Sequence, residues 1–445
     1  MTAAEPAVET VRRAARELSG DRSDFDPVVA AAGAAHLVLI GEASHGTHEF
    51  YRVRAEITRR LIAEHGFNAV AVEADWPDAW RINRYVRGLG ADVDAGEALQ
   101  DFQRFPRWMW RNADVLDFVG WLRGFNDPLP EPQRAGFYGL DLYSLHASID
   151  AVLRYLAAAD PDAATRARAR YSCFDRFGED LQAYGYATSL GLAPSCEAEA
   201  IAQLVELRRS AGRAGIEPGN GSDDGFFVEQ NARLIANAER YYRAMFAGHV
   251  DSWNLRDGHM VETLGALIAF LRRRFAQPRV IVWAHNSHLG DARATDRARA
   301  GEHNVGQLVR EQYGSAAYLL GFSTYTGTVT AASDWDAPAE RMAVRPALEQ
   351  SYEALLHHAG GPNLLLTFDR GDLAQALEHP RLQRAIGVVY RPATERQSHY
   401  YHVRLPAQFD ALLHYDRTRA VEPLDRTGAG AGYAGEAPET YPSAL

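Results

Sequence analysis

The chain has 445 residues and a formal net charge of −11, and because it contains no lysine all 47 of its basic residues are arginine. That excludes every chemistry needing a lysine side chain: the Schiff base of a pyridoxal phosphate enzyme or aldolase, the P-loop, and the strand lysine of a protein kinase. The rest, 47% hydrophobic and 24% charged, is the composition of a globular protein with material for a large core, and the acidic balance argues against a nucleic-acid partner, which needs a basic patch.

Residues 1–24 alternate Ala with Glu and Arg and lack the apolar core of a signal peptide. Short apolar runs that stop where polar residues begin predict strands at 36–41, 67–74, 135–141 and 279–285, followed by 316–322, 363–367 and 386–390. Helical periodicity runs over 48–64, 78–87, 110–125, 144–157, 197–213, 225–247 and 257–275, broken by a Gly/Asp-rich loop at 215–225. Cys173 and Cys196 have no CxxC spacing and read as free thiols in a reducing cytoplasm. The uncharged stretch 315–333 has the length of a membrane span, but its Ser, Thr and Gly content predicts two adjoining strands, so no membrane partner is expected.

This alternation predicts an α/β fold with a mostly parallel central sheet flanked by helices. Residues 1–143 and 276–424 would form the core, 144–275 a large helical insertion or cap, and 425–445 a flexible tail. In such a sheet the ligand cleft lies at the carboxyl ends of the strands.

Those ends carry the candidate chemistry. The first strand runs into a turn holding Glu42 and His45, the second ends in Glu73 and Asp75, and the fourth ends in His285, Asn286 and His288. A single histidine or carboxylate at a strand end commonly caps a helix or holds a framework hydrogen bond. Independent capping does not account for acid and histidine at three separate ends. Arg54 falls on the same helical stripe as Phe50, Ile57 and Leu61. A buried arginine needs a carboxylate partner, Glu42 or Glu73, unless it reaches solvent along the helix edge.

The segments GEASHGTHEFYRVRAEITRRLI, AVEADW, WMWRN, YGLDLYSLH, SWNLRDGHM, VWAHNSHLGDAR and ERQSHYY resemble, in order and spacing, the erythromycin esterase family, in its branch of undefined substrate. The resemblance runs from about residue 30 to 425 and implies hydrolysis of an ester, in the best-known cases a macrolide lactone. It implies His45 as general base, accompanied by Glu42, Glu73, Arg54, His285 and His288.

The residues allow such a reaction. Neutral histidine can take a proton from water, a carboxylate can fix its tautomer, and His285, His288 or Arg54 can donate to the carbonyl oxygen. A nucleophilic Ser44 is disfavoured because Glu42 stands where the G-x-S-x-G elbow has glycine. A metal hydrolase is the alternative, with zinc or manganese on His45, Glu73, His285 and His288, although no cofactor is the primary expectation. A non-catalytic binding or biosynthetic accessory protein is the remaining alternative. Substrate-binding candidates are Asp75, Asn286, Trp108, Trp110, Asp141, Arg256 and His259, with Asp257 beside them and 396–401 as a rim. The expected partner is a small-molecule ester or lactone, and the sequence leaves the oligomeric state open.

Overall fold

A computed structural model describes residues 6–178, 180–213, 223–246, 248–368 and 371–425. The tail expected at 425–445 lies outside these residues apart from Asp425, as does the loop expected at 215–225 up to residue 222; residues 223–225 already belong to the helix Asp223–Ala244.

The strands among the described residues are β1 (Arg16–Glu17), β2 (Leu37–Ile40), β3 (Ala69–Asp75), β4 (Gly136–Asp141), β5 (Val280–Trp283), β6 (Ala317–Ala331), β7 (Glu340–Val344), β8 (Asn363–Thr367), β9 (Arg381–Arg384), β10 (Tyr400–Val403) and β11 (Ala411–Thr418). Nine of them build one sheet in the order β1-β8-β11-β6-β2-β5-β3-β4, with β7 paired to β6. The run from β11 to β4 is parallel, while β1, β7 and β8 pair antiparallel, so the sheet is mixed. β9 and β10 form a separate antiparallel ribbon.

The central strands read as unbroken apolar runs because both of their faces are covered. Leu37, Leu39, Val280 and Val282 point into one core, which they share with Leu156, Tyr184, Leu234 and Leu264 of the helical stretch between Leu145 and Leu271. Val38, Ile40, Ile281 and Trp283 point into the other, against Phe50, Ile57 and Leu61 of the helix His48–His65. The helical stretch therefore shares its core with the sheet.

Several expectations need correction. Residues 386–390 form only isolated bridges, Ser44 to Ile386 and Ala332 to Val389; their apolar character comes from a small third core that buries Ile386 and Tyr390 with Val329, Ala331 and Val344. The stretch 315–333 is one strand, β6, whose half-exposed middle at 325–328 mimics a break between two. The helix expected from 257 starts at His249, because its first turns bury polar residues and show no apolar period. Cys173 and Cys196 form a disulfide with Cα atoms 5.9 Å apart, linking the end of the helix Pro161–Tyr171 to the start of Glu197–Arg213. That overturns the free thiols and removes the ground for a reducing compartment. No helix among the described residues is long and apolar enough to cross a membrane.

Candidate active site

The strand order makes neighbours of residues far apart in sequence. Four adjacent strands, β2, β5, β3 and β4, deliver Glu42 and His45, then His285 and His288, then Glu73, then Asp141 at one edge of the sheet. Asn286 ties two of these ends together: its backbone N–H donates to the Glu42 carbonyl at 2.8 Å and its side chain to the Phe322 carbonyl at 2.7 Å. Gly41 lets it approach, since a Cβ there would meet Asn286 Oδ1 at 2.1 Å.

The His45 turn is fixed from three sides. The His45 N–H donates to Ile386 O (3.3 Å), Thr330 N–H and Val421 N–H both donate to Gly46 O (3.0 Å each), and the Tyr51 hydroxyl donates to His45 O (2.6 Å). The 396–401 segment, expected as a cleft rim, acts further back together with Glu395. His399, Tyr400 and Tyr401 are buried, and Tyr400 and Glu395 engage Arg384, which precedes the strap at 385–386 that meets the turn.

His45 is 6% exposed, and its Nδ1 lies 2.8 Å from Glu42 Oε1. A carboxylate only accepts, so this contact places the proton on Nδ1 and leaves the Nε2 lone pair free. Behind Glu42 lies Arg54, with Nη1 at 2.9 Å from Oε2, both side chains fully enclosed. This contact is an ion pair rather than an aligned hydrogen bond. The guanidinium is sandwiched between the rings of Tyr51 (4.5 Å) and Trp283 (4.7 Å). Of the two partners expected for Arg54, the structure selects Glu42.

Glu73 is the hub of the site. Its Oε2 accepts the His285 backbone N–H at 2.8 Å. Its Oε1 faces Arg256 Nη2 (2.8 Å), His288 Nε2 (3.3 Å) and His45 Nε2 (3.9 Å). Burial opposes its ionisation, yet His288, His45 and Arg256 together hold it well below the ordinary carboxylate range. Arg256, expected only as a substrate contact, is the cation that touches this hub; it is anchored by Asp141 at 3.0 and 2.6 Å and lies over the Tyr143 ring.

The three histidines occupy three different electrostatic settings. His285 Nδ1 accepts the Ser287 backbone N–H at 3.2 Å, which assigns the proton to Nε2. That Nε2 is buried without a hydrogen-bond partner, and the ring lies 5.0 Å from that of His45. Burial, then the neighbouring His45, push the His285 pKa well below its usual value, so it is a neutral ring. At His288 both nitrogens face carboxylates, Nδ1 at 2.5 Å from Asp257 and Nε2 at 3.3 Å from Glu73. Burial disfavours its charge, but Asp257 and Glu73 raise its pKa to about 9. His45 has one carboxylate at hydrogen-bond distance, Glu42, and one beyond it, Glu73.

The other candidates lie further out. Asp75 stands opposite Asp141 in the β3–β4 register and pairs with Arg104. His259 faces Asn237 and Thr263, and burial pushes its pKa down to about 4. Trp108 and Trp110 are packed in the second core, 2% and 5% exposed. The residues missed by sequence reasoning are Tyr51, Tyr143 and Trp253, all aromatic; Trp253 stacks on His288 at 4.5 Å. Trp253 lies within the segment SWNLRDGHM, three residues before Arg256.

No three His, Cys, Asp or Glu among the described residues are arranged to hold a metal ion. The Arg256 guanidinium lies against two of the four donors expected to bind one, with Nη2 2.8 Å from Glu73 Oε1 and Nη1 3.2 Å from His288 Nε2.

A family model described as erythromycin esterase matches residues 62–418. The match includes Glu73, Asp141, Arg256, Asp257, His285 and His288 and starts beyond Glu42, His45 and Arg54. The erythromycin esterase type II of Escherichia coli is 29% identical over 119 residues, 27% of this chain and 26% of that protein, so the aligned part spans about a quarter of the relative's length. Three solved structures share the fold. A succinoglycan biosynthesis protein has a TM-score of 0.75 at 19% identity, covering 95% of this chain and 99% of that one. A Bacillus cereus protein has a TM-score of 0.75 at 18% identity, covering 94% and 98%. A mutant erythromycin esterase in its open conformation has a TM-score of 0.64 at 17% identity, covering 91% and 96%.

Proposed function

This chain belongs to the erythromycin esterase family, and from that premise we propose that it hydrolyses a carboxylic ester or lactone by direct attack of a water molecule activated by His45. The observation that carries this reading is the placement of His45 Nε2: its partner nitrogen is held by Glu42 at 2.8 Å, while Nε2 stays 3.9 Å from Glu73, beyond hydrogen-bond length. Water bound there loses a proton to Nε2 as its oxygen attacks the carbonyl carbon. The His285 Nε2–H, next to the base, donates to the developing oxyanion. Glu42, paired with Arg54, and Glu73 stabilise the imidazolium that forms on His45. A serine nucleophile is less favoured, because the Ser44 hydroxyl is engaged by that of Thr47 rather than by His45.

The reaction as proposed needs no metal, since Arg256 supplies a fixed positive charge beside both Glu73 and His288. Exhaustive dialysis against a chelator is expected to leave turnover unchanged; loss of activity restored by zinc or manganese would overturn this part. The proposed substrate is a small molecule, with macrolide-like and other bulky lactones as the class the family suggests. A panel of lactones, aryl and alkyl esters and peptides tests the reaction class: turnover of esters or lactones is expected, and a protein that cleaves none of them is not this hydrolase.

A further inference from the structure

We propose that Asp257 is a positioning residue that keeps His288 doubly protonated, and that His288 is the acid that protonates the departing alcohol. This deepens the hydrolase reading and rests on it. Hydrolysis of an alkyl ester needs two proton transfers: one from the attacking water, the other to an alkoxide too basic to leave unaided. One histidine beside the water serves the first. The second needs a group that carries a proton before the reaction starts.

His288 is placed for that. Its Nδ1 lies 2.5 Å from Asp257 and its Nε2 3.3 Å from Glu73, so each ring nitrogen faces an oxygen that only accepts. Asp257 is fully buried and fixed at its other oxygen by the Val305 N–H (3.3 Å), and Trp253 stacks on the imidazole at 4.5 Å and 7°. His288 Nε2 and His45 Nε2 stand 3.3 and 3.9 Å from the same oxygen of Glu73, so the proposed acid and the proposed base face one carboxylate.

Arg256 is the opposing charge, with Nη1 3.2 Å from His288 Nε2. It disfavours the imidazolium, but once the proton has left it can donate to the exposed lone pair, so the acid is poised to release. His288 in turn disfavours the charge of His285, which is neutral. In balance, His45 Nε2 gains a proton from water, the carbonyl C–O bond to the alcohol breaks, and the alkoxide takes the His288 Nε2 proton. Exchange with solvent then discharges His45 and recharges His288. Because the raised pKa of His288 lies near 9, the acid is present at neutral pH and is lost as pH rises through that value.

The test compares Asp257→Asn, nearly the same shape, with wild type on acetate esters of p-nitrophenol, phenol and ethanol. p-Nitrophenolate leaves without help, so its kcat should stay within about twofold. The ethyl ester should lose about 100-fold, the scale of general-acid catalysis, with partial recovery in Asp257→Glu. In wild type, the ratio of ethyl to p-nitrophenyl turnover should fall as pH rises past about 9, a readout that needs no variant to fold. A uniform loss on all three esters, no loss on any, or a wild-type ratio flat through the alkaline range would overturn the proposal. Each of those results leaves the hydrolase reading standing; only a wild type that cleaves none of the esters removes it.

Discussion

His45→Ala should lower kcat by about 100- to 10,000-fold on any ester the wild type cleaves, the range contributed by a positioned general base, with an unfolding midpoint close to that of wild type. The side chain is nearly enclosed, but the fold does not depend on it: the turn is held through backbone contacts of His45, Gly46 and Ser44. Loss of the imidazole frees Glu42 Oε1, which still faces Arg54 from its other oxygen, so no unpaired charge is created. Activity within tenfold of wild type would exclude His45 as the base.

Arg54→Ala should be the most destabilising single change at the site, costing about 3–5 kcal/mol in denaturant unfolding, because it strands a fully buried carboxylate. The cost combines the uncompensated Glu42 with the void left between Tyr51 and Trp283. Glu42, the group that orients His45, loses its ion-pair partner behind the site, so activity should fall as well. The double variant Arg54→Met with Glu42→Gln separates the two effects: it should recover most of the stability and little of the activity. A loss below about 1 kcal/mol in Arg54→Ala would mean that the pair behaves like an exposed surface ion pair.

The pattern of strand ends was readable in the sequence because parallel strands buried on both faces stop abruptly where polar chemistry begins, as at Ile40–Gly41 and Trp283–Ala284. Arg54 was readable because it interrupts an apolar stripe. Which carboxylate it meets was not, since Glu42 and Glu73 are separated by the order of strands, with β5 inserted between β2 and β3. The weight carried by Arg256 was hidden for a related reason. Its helix begins in buried polar residues, so apolar periodicity starts the element eight residues late and leaves Arg256 just outside it. The disulfide had no local signal, its two cysteines being brought together by the packing of separate helices.

The most direct test of water attack from His45 is rapid-quench intact mass during turnover of a p-nitrophenyl ester, with nitrophenolate release followed in parallel. Release without a burst is expected, from a chain that keeps its unmodified mass of 49.2 kDa throughout. A burst that matches the enzyme concentration, with an acyl group accumulating on Ser44, Glu42 or Glu73, would contradict it.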